Sequence, residues 1–123
     1  NLWVVPSTVY GTIQIGIAEI QRRIRPCGKI GEHLYKQLVD YNLSDGAAAW
    51  TPGESWSLGD SPAIALAINP GCGRYSEIPA PLVAEDTSSL ADLSSPIIRM
   101  YNYVDSRYIL EDMIAKLELC YLK

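Results

Sequence analysis

The sequence predicts an α/β unit, a set of helices packed on a small mixed sheet, and three observations carry that prediction. "NLWVVP" opens the chain with an unbroken apolar run that proline stops, the signature of a buried strand in a mixed or parallel sheet. Long stretches then repeat apolar residues every three or four positions, as helices with one inward face do. Near the end, "IIRMYNYV" carries the branched and aromatic composition of a strand and leads directly into another helical stretch. The 123 residues suit a single domain, 1–123, and 48% hydrophobic with 20% charged residues is an ordinary globular balance.

The elements follow in order. Leu2 to Val5 is the first strand, ended by Pro6. From about Gly11 to Arg25, Ile13, Ile17, Ile20 and Ile24 fall at steps of four, three and four and predict an amphipathic helix that Pro26 stops. A second helix is expected over about Ile30 to Tyr41, with Ile30, Leu34, Leu38 and Tyr41 inward. His33 lies on its polar side, a solvated histidine without the pocket that proton-carrying roles require. "NLSDGAAAWTPGES" (Asn42 to Ser55) is a loop, long enough to suggest function or mobility. Trp50 and Trp56 flank its end. Tryptophans in such places more often anchor packing, but two beside a loop can also stack on a planar ligand.

A third helix is expected to start after Asp60 and to run to about Asn69, where "NPGCG" breaks it. "SEIPAPLVAED" is too proline-rich for a central strand and suits an edge. Glu85 to Ser95 forms another loop. Ile97 to Val104 is a strand with a tyrosine-rich face. Asp105 then begins a last helix that turns Ile109, Met113, Leu117 and Cys120 or Tyr121 inward. The order, strand, helices, edge strands, helix, leaves too little sheet to stand comfortably alone. The abrupt start inside an apolar element, with no charged leader, is the expectation for a piece of a longer protein.

Charge and composition limit the partners. A net charge of −4 argues against nucleic-acid binding, which needs clustered cations. The densest basic run, "QRRIRP", sits at a helix end, where arginines serve the last carbonyls. No apolar run approaches the ~20 residues that span a bilayer, and no signal peptide is visible. Cys27, Cys72 and Cys120 are an odd number without C-x-x-C spacing. They support neither a disulfide framework nor zinc, and fit reduced thiols in a cytoplasmic protein. A single histidine excludes any multi-histidine metal site or His-Asp triad built from this chain alone.

"ESWSLGDSPAIALAI" poses the central question. Asp60 stands before Ser-Pro and an apolar helix, an arrangement that favours an N-cap whose carboxylate accepts first-turn amides. The same carboxylate can also offer an oxygen to a hard cation, although calcium needs several oxygen ligands and Asp60 alone cannot hold it. Asp105 and Arg107 in "VDSR" are read structurally, as an N-cap and as an i,i+4 partner of Glu111.

"VVPSTVY", "RIRPCGKIGEHLYKQL", "GESWSLGDSPAIALAI" and "IIRMYNYVDSRYILEDMIAKL" resemble, in this order, the C-terminal part of nucleoside hydrolases, the inosine-uridine-preferring family. The resemblance spans nearly the whole chain, and "GDSPAIALA" and "VDSRYILEDMIAKL" are its most specific pieces. It implies an α/β sheet with helices on both sides and hydrolysis of a nucleoside's N-glycosidic bond to base and ribose. It also implies a calcium ion held by an N-terminal aspartate cluster and one late aspartate. Asp60 matches the late aspartate and is thereby a calcium ligand as well as a cap. Trp56 and Glu54 lie where the family closes over the base and are carried as substrate neighbours. Gly59 stands where many members have the histidine that protonates the departing base, so no catalytic residue is assigned. The aspartate cluster and the ribose-binding segment are absent. The resemblance therefore implies an N-terminal half or companion chain to complete the site, with a homo-oligomer as a further option. The alternative is a non-catalytic binding or subunit-interaction domain of the same fold.

Overall fold

The computed structural model describes residues 2–44 and 53–122. Helices alternate with short strands in three small sheets, the mixed helix-and-sheet character that the sequence predicts. The main sheet has three strands: β1 (Trp3–Val4), β7 (Ile97–Val104) and β4 (Gly73–Pro79), in the order β1-β7-β4. β1 runs parallel to β7 and β4 antiparallel, so the sheet is mixed. β4 is an edge strand, where its terminal Pro79 is tolerated. β1 is shorter and less buried than expected: Leu2 and Trp3 are exposed, because β7 is the strand's one neighbour among the described residues. The tyrosine-rich face of β7 is also split. Tyr101 pairs with Tyr75 and Tyr103 with Arg74, leaving Asn102 as the extra residue of a bulge. Tyr101 is buried and Tyr103 exposed.

The first helical reading needs a correction. Ser7–Tyr10 forms a single turn, α1. Gln14–Gly16 is then a strand, β2, antiparallel to β3 (Ser55–Ser57). The helix starts only at Ile17, as α2 (Ile17–Glu19), and continues as a π-helix over Ile20–Ile24. Ile13 and Ile17 fit a helical step, but Ile13, Ile15 and Ile17 alternate with Gln14 and Gly16, and the alternation prevails. Gly11, Thr12 and Gly16 are poor helix formers, and pairing with β3 satisfies the backbone instead. The ladder is extended by Leu58 N–H donating to Ile13 O at 2.8 Å and Ile17 N–H to Glu54 O at 2.9 Å.

α3 (Gly28–Asn42) packs Leu34, Tyr35, Leu38 and Val39 inward, while Ile30 and Tyr41, expected on that face, are exposed. His33 is exposed, as the sequence suggests. Gly31 permits the close approach of α3 to the π-helix: a Cβ there would lie 2.0 Å from the carbonyl oxygen of Ile24. α4 (Ser61–Ile68) and a 3₁₀ turn (Pro70–Cys72) lead into β4. A small hairpin of β5 (Leu82–Val83) and β6 (Ser89–Leu90) crosses the expected acidic loop. α5 (Ser106–Tyr121) closes the fold.

Two clusters make the core. One joins Val9, Ile13, Leu66, Cys72, Tyr101, Val104 and Ile109; the other joins Ile15, Ile20, Ile24, Trp56 and Ile114. Leu58 and Leu110 pack against both. α5 therefore enters each cluster, through Ile109 in one and Ile114 in the other. Ile114, between the expected Met113 and Leu117, is the fully buried position.

Ion pairs tie α5 to the π-helix. The Arg23 guanidinium donates to Glu118 at 3.0 Å and to Glu111 at 3.0 Å, and bonds Glu19 at 3.3 Å. Those bonds to Glu118 and Glu111 raise its pKa further above the ordinary arginine value. Arg25 donates to Glu32 at 2.8 Å and lies 4.6 Å over the Tyr35 ring. Two of the three arginines of "QRRIRP" thus meet carboxylates rather than helix-end carbonyls. Glu111 is consequently taken by Arg23, in place of the expected pair with Arg107.

Ile114→Ala is expected to lower unfolding free energy by about 2–5 kcal/mol, through lost burial and the cavity left behind. Gly31→Ala, driven against a backbone oxygen rather than a movable side chain, is expected to cost at least about 3 kcal/mol, beyond ordinary overpacking. Chemical denaturation followed by circular dichroism measures both.

Candidate functional site

The candidate site is the head of α4, reached through β3. Pairing of Trp56 with Ile15 in the β2–β3 ladder sends the indole into the second core cluster, where Trp56 is 3% exposed. Its Nε1–H has no hydrogen-bond partner among the described residues. Trp56 is thus placed as a packing anchor, with no ring face open at the surface. Glu54 is exposed, and its backbone oxygen holds the Ile17 amide. Trp50 lies outside the described residues.

After β3 the chain turns outward. The Ser57 hydroxyl donates to the Tyr10 carbonyl at 3.2 Å, and half-buried Leu58 bridges the two clusters. The turn into α4 is closed by the Ser61 amide donating to Leu58 O at 3.0 Å and the Ala63 amide to Asp60 O at 3.2 Å. Pro62 and Leu66 anchor α4 inward as its buried residues.

Asp60 departs from the cap expectation. It occupies the N-cap position, but its φ −83°, ψ −18° are already helical, and its side chain accepts no capping bond. A capping aspartate normally has extended backbone, which swings the carboxylate back toward the first-turn amides. Asp105 shows the contrast: at ψ 90° it accepts from the Tyr108 amide at 2.9 Å and caps α5 as read from the sequence. The Asp60 carboxylate is exposed and has no hydrogen-bond or ion-pair partner among the described residues.

Gly59 and Tyr10 form a contact that sequence reasoning missed. A Cβ on Gly59 would lie 3.0 Å from Cδ2 and 3.3 Å from Cε2 of Tyr10. The Tyr10 ring therefore fills the space that a side chain at 59 would need, immediately before Asp60. Tyr10 stands in "VVPSTVY", far from "GDSP" in sequence, and no local periodicity signals a contact across that separation.

The donor set can be tested against calcium. Among the described residues no group of three or more His, Cys, Asp or Glu side chains could hold a metal ion. One exposed carboxylate is far from the six to eight oxygens that calcium takes, so these residues do not fit the ion on their own. Cys27 and Cys72 are buried, burial pushes both up from the ordinary thiol value, and Cys120 is exposed. Among the described residues no helix is long and apolar enough to cross a membrane. Compared with known proteins, the chain matches no family model, no curated protein and no solved structure.

Gly59→His is expected to cost about 1–3 kcal/mol, because its side chain must displace the Tyr10 ring. Adding Tyr10→Ala should remove most of that cost, and a double-mutant cycle on unfolding free energy reads the coupling directly.

Proposed function

We propose that this chain is the C-terminal part of a nucleoside-hydrolase-type enzyme that cleaves the N-glycosidic bond of nucleosides to base and ribose. The observation that carries the reading is the Asp60 carboxylate, which is held at the head of an anchored helix, faces solvent and takes no part in capping. Its position in "GDSPAIALA" is that of the late aspartate in the family the sequence resembles. A carboxylate used by the fold would be unavailable to a ligand; this one is available.

On this reading the chain's own part is limited and specific. Pro62 and Leu66 fix α4, and α4 fixes where the Asp60 oxygens sit. The other carboxylates of a calcium site, and the groups that hold ribose, belong to polypeptide outside these residues, an N-terminal half or a companion chain in the cytoplasm. Proton donation to the departing base also belongs elsewhere, since Gly59 has no side chain and the Tyr10 ring fills its place.

That same contact favours a second reading, in which the chain is a non-catalytic binding or subunit-interaction domain of the same fold. The Tyr10 ring closes the position where the family's acid stands in many members, and the described residues assemble no metal group.

The readings separate on Asp60. In the complete protein, Asp60→Asn and Asp60→Ala should each reduce calcium-dependent nucleoside hydrolysis by at least about 100-fold, more than loss of an outer-shell partner costs. Unfolding free energy should stay within about 0.5 kcal/mol, because the carboxylate makes no internal bond. Full hydrolysis by Asp60→Asn rejects the catalytic reading. A large loss of stability in either variant rejects the description of the carboxylate as unused by the fold.

A further inference from the structure

One row of side chains across the main sheet gathers around a cation. Register places Trp3 of β1 and Glu77 of β4 on either side of Arg99 of β7, with Tyr75 opposite Tyr101 in the next row of the same face. The Arg99 guanidinium lies 5.3 Å from the Trp3 ring centroid and 4.7 Å from that of Tyr75. Both rings rest in turn on buried Tyr101, with centroids 5.9 and 5.4 Å away. Stacking therefore fixes where the cation stands. Its fork is left open. Glu77, directly across the ladder, stands 3.8 Å from Nε, beyond hydrogen-bond reach, and the guanidinium makes no hydrogen bond among the described residues. Arg25 shows the other outcome: it too lies over a ring, that of Tyr35, yet closes on Glu32 at 2.8 Å. Arg99 and Glu77 instead line a cavity of about 300 Å³ whose other walls are Leu2, Ile97 and Ile98.

We infer that this cavity binds a small carboxylic acid, its carboxylate paired with the Arg99 fork and its apolar body against Leu2 and Ile97. A guanidinium offers parallel N–H donors that match the two oxygens of a carboxylate. The rings of Trp3 and Tyr75 hold those donors in place before a ligand arrives, so little order is lost on binding. Glu77 is the internal competitor. Its side chain is 61% exposed, and it yields its place beside Arg99 by turning into solvent. Leu2 and Ile97, 59% and 56% exposed, give the acid an apolar surface to cover. A bare inorganic anion gains nothing from that surface. The volume stands at the lower end of ligand pockets, which limits the acid to a few carbons. One ion pair and a short apolar contact set the dissociation constant on the order of 1 mM. The inference is independent of the proposed activity, since it uses neither Asp60 nor any residue that positions it.

Titration of the complete protein with sodium butyrate tests it, read from the indole N–H signal of Trp3 in NMR spectra, with Trp3→Phe to identify that signal. The signal should shift and saturate. Acetate, two methylenes shorter, should bind at least about threefold more weakly, and inorganic phosphate more weakly than butyrate. Arg99→Lys keeps the charge but loses the fork, and should weaken butyrate binding at least about tenfold with an unchanged circular dichroism spectrum. Glu77→Gln removes the competing carboxylate and should tighten it at least about threefold. Should the Arg99 variant fail to fold, Glu77→Gln, at an exposed position, still decides. No saturable shift up to about 50 mM, well past the expected constant, overturns the inference. So does an equal response to phosphate, or to chloride at the same ionic strength, and so does butyrate binding that Glu77→Gln leaves no tighter.

Discussion

The fold rests on one helix serving two cores. α5 delivers Ile109 to the cluster under the mixed sheet and Ile114 to the cluster under the β2–β3 ladder, and Leu110 touches both. Neither cluster is large, and each draws on elements far apart in sequence. With five buried members in one cluster and seven in the other, neither could hold its strands without that helix. Arg23 reinforces the arrangement from outside the core, reaching Glu111 and Glu118 on α5 from the π-helix. The i→i+5 bonding of the π-helix, seen in the Arg25 amide donating to Ile20 O, alters the direction in which successive side chains leave the axis. Here that stretch carries Ile20 and Ile24 inward and Arg23 toward α5.

Much of this organisation was legible because local chemistry sets it. Composition marks the bounds of β7, the flanking Asp60 and Asn69 mark α4, and Asp105 alone marks the cap of α5. Where the reading failed, a contact distant in sequence decided. β2 is a strand because Ser55–Ser57 supplies its partner, and only the Ile13, Ile15, Ile17 alternation hinted at it. Helical spacing alone does not single out Ile114, because it does not reveal that a helix faces two cores at different angles. Arg107 lost its expected partner to Arg23, some ninety residues away.

The site shows the same division. Sequence placed Asp60 at the start of α4, and the structure leaves it there. The backbone angles that withdraw its carboxylate from capping were not legible, because Asp at an N-cap position ordinarily does cap. Asp60 and Asp105 look alike in sequence, each an aspartate followed by serine at the mouth of a helix. They differ because Asp105 leaves an extended strand whereas Asp60 leaves a turn already wound by the Leu58–Ser61 bond. One carboxylate is consumed by the fold and the other is presented. The Tyr10 ring beside it narrows what the site can do without adding an ionisable donor at position 59.

The Asp60 carboxylate stands exposed at the head of an anchored helix, and on the proposed function it completes a site whose other groups lie outside these residues. The most direct test is the mass of the native assembly isolated from its source, set against the masses of its denatured components. The account predicts polypeptide beyond copies of this 13.6 kDa chain, either in a longer chain or in a second, aspartate-rich one. An assembly made only of 13.6 kDa chains, whatever their number, would contradict it and leave Asp60 with no site to complete.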